Sequence, residues 1–562
     1  MASIRVVYLF ALVWLAACSV PPTTTSTDRE FDREVALGVF SEHVAALSAD
    51  RMQGRSPASV GEQRTLDYLT AAYREVGLSP VPELGFLQSV PLVGITPSST
   101  SALSIRGDHA NFEFAYRRDA MLWTKRLVAA SSIDDSPLVF AGYGIVAPEY
   151  DWNDYAGLDV SGKTVVVLVN DPGFATRDES LFNGYAMTYY GRWTYKYEEA
   201  ARQGAAGILI VHENEAAGYP WQVVAGSWAG ESFDLVAPDR NMGRASIEGW
   251  LSLDAAQRLF AAAGLDYEEQ RDRASTRGFK AVDLTLTASA TVTNEIAESE
   301  SYNAIGYLPG SRYPDEYIVY TAHWDHLGMS ATTEPRNFAA NSSSDTIFNG
   351  AKDNAAGVAM MLSLARAFAA GEPPERSVVF LAVTAEESGL LGSAWYAAEP
   401  VFPLETTVAN INIDAPTLLG PTRDVTVVGF GNSELQELLA TFANRQGREL
   451  RREPTPEKGF FYRSDHFNFA KRGVPALYAK GGIDHRERGV DYGSAWEADY
   501  VANRYHKVGD EYDANWDLRG VAEDIELYYQ VGASLAGSRD WPDWYPGNEF
   551  KAARDASADS RL

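Results

Sequence analysis

Residues 317–326 read YIVYTAHWDH, a β-branched and aromatic run that ends on two histidines and an aspartate. Residues 317–322 have the composition of a short buried strand, and His323 stands at its carboxyl end. The same pattern returns downstream. Residues 377–384 lead into Glu386 and Glu387, residues 407–413 lead into Asp414, and 425–429 and 474–478 are further β-branched runs. Helical stretches lie between several of them, notably 354–370 and 434–445, and Ile525, Tyr528, Tyr529 and Gly532 mark a closing helix. Strand, loop and helix in alternation predict an α/β fold with a doubly wound, mostly parallel central sheet. In such a sheet, ligands bind in the crevice beyond the carboxyl ends of the strands. His323, Glu386, Glu387 and Asp414 all fall there, and Asp353 immediately precedes a helix.

Upstream, Leu66, Leu69, Tyr73 and Val76 recur at three- and four-residue spacing, one face of a helix over 61–77 closed by Gly77. Residues 81–125 are β-like and rich in turns. The composition changes near residue 130. A short strand and the Gly142-Tyr143-Gly144 turn are followed by KTVVVLVN (163–170), a helix over 197–204 and GILIVH (207–212). Continuous β-branched runs of this kind belong to strands buried on both faces, so a second, smaller α/β unit is expected. The tail from Trp541 is rich in Trp, Pro, Asp and Gly.

With 562 residues the chain exceeds one hydrophobic core, and 46% apolar with 22% charged residues is the composition of a folded globular protein. Asp and Glu number 76 against 48 Lys and Arg, a net charge of −28. That field repels phosphate backbones, so no nucleic-acid partner is expected. Cys18 is the only cysteine, which excludes internal disulfides and zinc fingers. It closes residues 1–18, where Arg5 precedes an apolar run too short to span a bilayer, and Leu15-Ala16-Ala17-Cys18 resembles the bacterial lipoprotein box. Residues 19–30 read as a flexible tether. The expectation is an exported protein, lipid-anchored at Cys18 in the bacterial envelope. Ser19 after that cysteine points, by lipoprotein custom, to the outer membrane facing the periplasm.

A cluster of His323, Asp353, Glu386, Glu387, Asp414 and His506 would crowd carboxylates that repel one another unless a cation lies between them. A metal is the simplest neutraliser. Three carboxylates and two imidazoles balance two divalent ions and one hydroxide, and nitrogen with carboxylate ligation suits zinc better than calcium or magnesium. Glu386 is left free to act as a general base.

HxDH, GAxDNAAG, TAEExGLLGS, NxD and a late YHxxxD, in this order, resemble the co-catalytic di-zinc aminopeptidases. Glutamate carboxypeptidase and the transferrin-receptor ectodomain belong to the same superfamily. The resemblance covers about residues 40–80 and 300–535. It implies two zinc ions, with Asp353 bridging them, His323 and Asp414 on one, and Glu387 and His506 on the other. Glu386 aligns with the general base, Asp325 with the carboxylate that orients the first histidine, and Tyr505 with a residue that hydrogen-bonds the oxyanion. A cis peptide between Asp353 and Asn354 is also implied. The GYGI turn, the KTVVVLV strand and the ARQGAAGILI step resemble the protease-associated domain inserted in several exopeptidases. The expected organisation is thus 31–125 with 291–540 as the peptidase, 126–290 as the protease-associated insertion, and 541–562 as a tail. The implied function is an aminopeptidase that releases N-terminal residues from peptides through a metal-bridging hydroxide.

Two alternatives stay open. Carboxypeptidase action needs a basic cluster for a C-terminal carboxylate, and Arg451, Arg452, Arg463 and Lys480 lie in suitable regions. A receptor-like, inactive module would have lost ligands, and none is missing here. His326 has no place among the ligands and is expected to support them. Ser464-Asp465-His466 is read as pocket wall rather than a catalytic triad.

Overall fold

The structure, a computed structural model, describes residues 31–227, 230–330 and 345–561. The expected signal segment, Cys18 and the tether lie outside the described residues. Among the described residues no helix is long and apolar enough to cross a membrane. From Asp32 onward the chain forms one compact unit.

Its spine is a 16-stranded mixed sheet. Tyr313–His323 runs parallel to Arg376–Val383 on one side and to Thr407–Asn412 on the other, and Thr407–Asn412 runs parallel to Ala476–Gly481. Asp424–Val428 is antiparallel to Ala476–Gly481 and carries Glu449–Arg452 at the edge. Both Arg376–Val383 and Thr407–Asn412 are buried along their whole length, as their uninterrupted apolar runs require. Alternate residues point to opposite faces. The Tyr320 hydroxyl donates to the Tyr528 carbonyl in Arg519–Ala536, whereas Val319 packs with Tyr396 and Phe469 from helices on the other face. The sheet is doubly wound, as expected.

Helix Ala356–Ala369 is buried over most of its surface, including Val358, Met361 and Leu362, because it lies between the sheet and helices Arg33–Leu47 and Arg519–Ala536. Upstream, Val60–Val76 matches the expected helix and ends at Gly77, whose φ of +89° suits a residue without Cβ.

A single 27-residue strand, Val282–Leu308, joins the two halves of the sheet. Its last residues pair with Arg376–Val383, and its earlier part pairs with Leu87–Thr100 and Ala130–Phe140. Beyond it Ala130–Phe140, Thr164–Leu168, Gly207–Val211 and Ile247–Leu251 lie parallel, with Ala120–Trp123 antiparallel at the far edge. Apolar clusters cover both faces of this lobe. The last residues fold back onto the doubly wound half. Trp544 is buried and donates to the Gly473 carbonyl at 3.0 Å, while buried Arg554 reaches the carbonyls of Thr407 and Val408.

Candidate metal centre and substrate groove

The register of the parallel strands sets Thr321 beside Asn412 and His323 beside Val383, so their carboxyl ends open together. His323, Glu386, Glu387 and Asp414 leave from those ends, and Asp353 enters from the turn that precedes helix Ala356–Ala369. The Asn354 amide ties this turn to the strand end carrying Asp414. Its Oδ1 accepts from the Gly357 and Ala415 amides, and its Nδ2 donates to the Ile413 carbonyl. A Cβ at Gly357 would stand 2.1 Å from Asn354 Oδ1, which explains the glycine. The Asp353–Asn354 peptide is cis, as the resemblance implied. Asp510 holds the turn from behind, accepting from the Lys352 and Asp353 amides.

The five expected ligands come together. Asp353 turns Oδ1 toward His323 Nε2 and Oδ2 toward His506 Nε2, each at 3.2 Å. His323 Nε2 lies 3.5 Å from Asp414 Oδ1, and His506 Nε2 lies 3.1 Å from Glu387 Oε2. Glu386 Oε2 stands farther away, 4.0 Å from His323 Nε2. Asp325 sits beneath, its carboxylate accepting from the Glu386 and Glu387 amides and lying 3.7 Å from His323 Nδ1, whose shorter contact is the Asp325 carbonyl at 3.2 Å. One aspartate thus sets the height of the first histidine and of the paired glutamates together.

Among the described residues no lysine or arginine pairs with any of these carboxylates. The consequence is visible in the histidines. Burial works against a charge on His323, yet Glu386, Asp353 and Asp414 pull its pKa well above the ordinary histidine value. His506 is raised in the same way, against its burial, by Glu387, Tyr505 and Asp353. Burial pushes Glu386 well above the usual carboxylate range, with Glu387 and Asp414 adding to the shift and His323 opposing it. The pocket draws positive charge, and its imidazole and carboxylate donors are of the type that divalent transition metals take. The residues fit a metal centre.

Tyr505 stacks on His506 with centroids 3.9 Å apart, and both line a groove of ≈ 1860 Å³ with Glu386, Glu387 and His326. The opposite wall comes from the lobe, through Arg192, Trp193, Tyr219 and Phe233. Burial pushes the Tyr505 phenol up to about 12, so it stays protonated and able to donate.

The sequence left two supports unread. Arg55, buried and at φ +52°, donates to the carbonyls of Leu47, Trp324, Asn349 and Gly350, and so binds the first helix to the loops carrying His323 and Asp353. Ser464 Oγ donates to Asp414 Oδ2 at 2.6 Å and accepts from Asn412 Nδ2. The Ser464–Asp465–His466 segment makes no triad, since Asp465 accepts from Ser393 rather than from His466.

A doubly wound sheet with imidazoles and carboxylates gathered beyond its strand ends is the architecture of an α/β metalloprotein. Residues 303–530 match the model of peptidase family M28. Over 149 residues the chain is 34% identical to a probable zinc metalloprotease of Pyricularia oryzae, covering 26% of this chain and 27% of that protein. It is 30% identical over 129 residues to aminopeptidase NAALADL1 of Mus musculus, covering 22% and 15%. The matches thus span between 15% and 27% of these relatives' own lengths. Among solved structures, the aminopeptidase from Aneurinibacillus sp. strain AM-1 covers 91% of this chain and 95% of its own, at 18% identity and a TM-score of 0.47.

Proposed function

We propose that this protein is a zinc-dependent exopeptidase, most specifically an aminopeptidase acting on peptides with a free N-terminus. The observation that carries the reading is the bifacial placement of Asp353, one oxygen toward His323 and the other toward His506, with Asp414 and Glu387 beyond. Those five residues would hold two zinc ions. Zinc supplies Lewis acidity toward the scissile carbonyl and the attacking water. Glu386, close to the ligands but farther from their nitrogens, takes the proton from the attacking water and delivers it to the leaving nitrogen. The hydroxyl of Tyr505, a residue that lines the groove, donates to the oxygen that becomes negative. The lobe of residues 126–290 is assigned as a protease-associated insertion that forms the far wall of the groove. Cys18 is assigned as the lipid anchor of a periplasm-facing, outer-membrane lipoprotein.

A specific observation favours a second reading, carboxypeptidase action. Arg192 and Arg463 line the groove, and among the described residues neither pairs with a carboxylate and the buried Arg192 Nε has no partner. Burial, with Arg463 beside it, lowers the Arg192 pKa to about 10. Two unpaired guanidiniums suit a substrate carboxylate. Arg451, by contrast, faces Asp484, and Arg452 lies over Phe430. The purified protein, assayed on amino-acid anilides and on N-blocked dipeptides, decides. Cleavage of the anilides alone is expected, and cleavage of the blocked peptides alone would transfer the assignment to carboxypeptidase.

A further inference from the structure

We propose that His326 is a positioning residue that divides the two oxygens of Glu387, holding Oε1 so that only Oε2 faces the metal on the His506 side. The proposal rests on the two-metal reading above and adds a determinant that the ligand set itself does not contain.

His326 Nδ1 lies 2.6 Å from Glu387 Oε1, while Glu387 Oε2 lies 3.1 Å from His506 Nε2. An ionised carboxylate only accepts, so the hydrogen sits on His326 Nδ1 and the contact is a charge-assisted bond of the short kind. The ring has little freedom to leave it. His326 is buried, its amide donates to the Arg55 carbonyl, and its ring meets that of His506 edge to face at 5.8 Å. On its other side a Cβ at Gly350 would stand 2.5 Å from the imidazole carbons, so backbone without a side chain is required there. A fixed ring with a fixed donor fixes the rotation of the Glu387 carboxylate.

The opposite side of the centre repeats the arrangement with a different donor. Asp414 Oδ2 accepts from Ser464 Oγ at 2.6 Å, leaving Oδ1 toward His323. Asp353 differs from both, for its two oxygens face only the two histidines and its support comes through the backbone amide, held by Asp510. Each terminal carboxylate therefore has one oxygen pinned by a hydrogen-bond donor, and among the described residues the carboxylate placed to bridge has none pinned. Such outer partners orient ligands and tune affinity by ~10–100-fold.

The competing role for His326 is that of a ligand, because it, Asp353 and Glu387 can bring donor atoms within 4.8 Å of one another. The test separates the two. The full chain is stripped with chelator, reloaded with zinc, and titrated against a chromophoric competitor to give the number of ions and each affinity. His326→Leu keeps the volume without a donor, and His326→Asn restores an N–H near the Nδ1 position. The proposal expects two ions in both variants, one affinity ~10–100-fold weaker in the leucine variant, the other unchanged, and most of the loss recovered by asparagine. It also expects kcat to fall with KM nearly constant. Two unchanged affinities in the folded leucine variant would overturn it, and so would a drop to one ion in both variants, which makes His326 a ligand. Wild-type protein that holds fewer than two ions overturns the two-metal reading and this proposal together. Wild-type protein that holds two ions but cleaves no peptide removes the peptidase assignment alone, because the affinities still judge His326.

Discussion

Glu386 and Glu387 are neighbours in sequence with different surroundings. Glu387 is held through both oxygens, by His326 and His506, whereas the Glu386 carboxylate approaches His323 only to 4.0 Å. Glu386→Gln should therefore keep two metals and lose ~10²–10⁴-fold in kcat, while Glu387→Gln should lose metal from one side. Identical metal contents and identical rates in the two variants would show the roles to be misassigned. The cluster was legible because ligand chemistry restricts residue type and order, so His323, Asp353, Glu387, Asp414 and His506 could be singled out before any geometry was known. Arg55 was not legible, since nothing in its neighbours distinguishes a buried arginine from a surface one. Its guanidinium reaches four carbonyls at once, which lysine cannot do. Arg55→Lys should cost about 2–3 kcal/mol, the worth of a lost bond to a charged donor, read as a lower denaturation midpoint. An unchanged midpoint would show that the fork of carbonyls is dispensable.

Helix His466–Lys471 opens on a histidine enclosed by Phe461 and Tyr478, with ring centroids 4.5 and 5.2 Å away. Burial lowers the His466 pKa to about 3, from 6.5. The unfolded chain takes up a proton near that higher value and the folded one refuses it. The stability carried by the neutral ring is thus complete above the unfolded pKa and is lost as pH falls toward the folded one, at roughly a tenfold change in the folding equilibrium per pH unit. His466→Phe should flatten the fall of unfolding free energy between about pH 6 and pH 4; a slope equal to wild type would place the ring in contact with water. Elements were readable where one face or both faces are apolar, as in Val60–Val76, Thr164–Leu168 and Arg376–Val383. Helix Arg33–Leu47 carries the same signal in Ala36, Phe40, Val44 and Leu47. The strand Val282–Leu308 carried no such signal through its polar middle, because those residues are exposed and are held in a strand by backbone pairing to Leu87–Thr100. Pairing between distant segments is invisible to local periodicity.

On the scale of the whole molecule, the doubly wound sheet was legible because the alternation of strand and helix repeats along residues 317–536. The joining of the lobe and the doubly wound half into one sheet was not, since it depends on that same polar strand. The joined sheet leaves the candidate centre supplied by segments from His323 to His506, all anchored in one body. Asp353, Glu386, Glu387 and Asp414 are among the carboxylates that give the chain its net charge of −28, and they gather in one place. An ion bound there meets ligands assembled only when the chain is folded, so its binding free energy adds to stability. A ligand at 100 times its Kd contributes about 2.7 kcal/mol per site. Removing metal from the full chain should therefore lower its melting temperature, and adding zinc back should restore it. Glu387→Gln should show a smaller response than wild type, because one site is already weakened, while Glu386→Gln should respond fully. A melting temperature indifferent to chelator and zinc in the wild type would mean that the folded chain does not hold these ions, and the assignment of His323, Asp353, Glu387, Asp414 and His506 as ligands would fall with it.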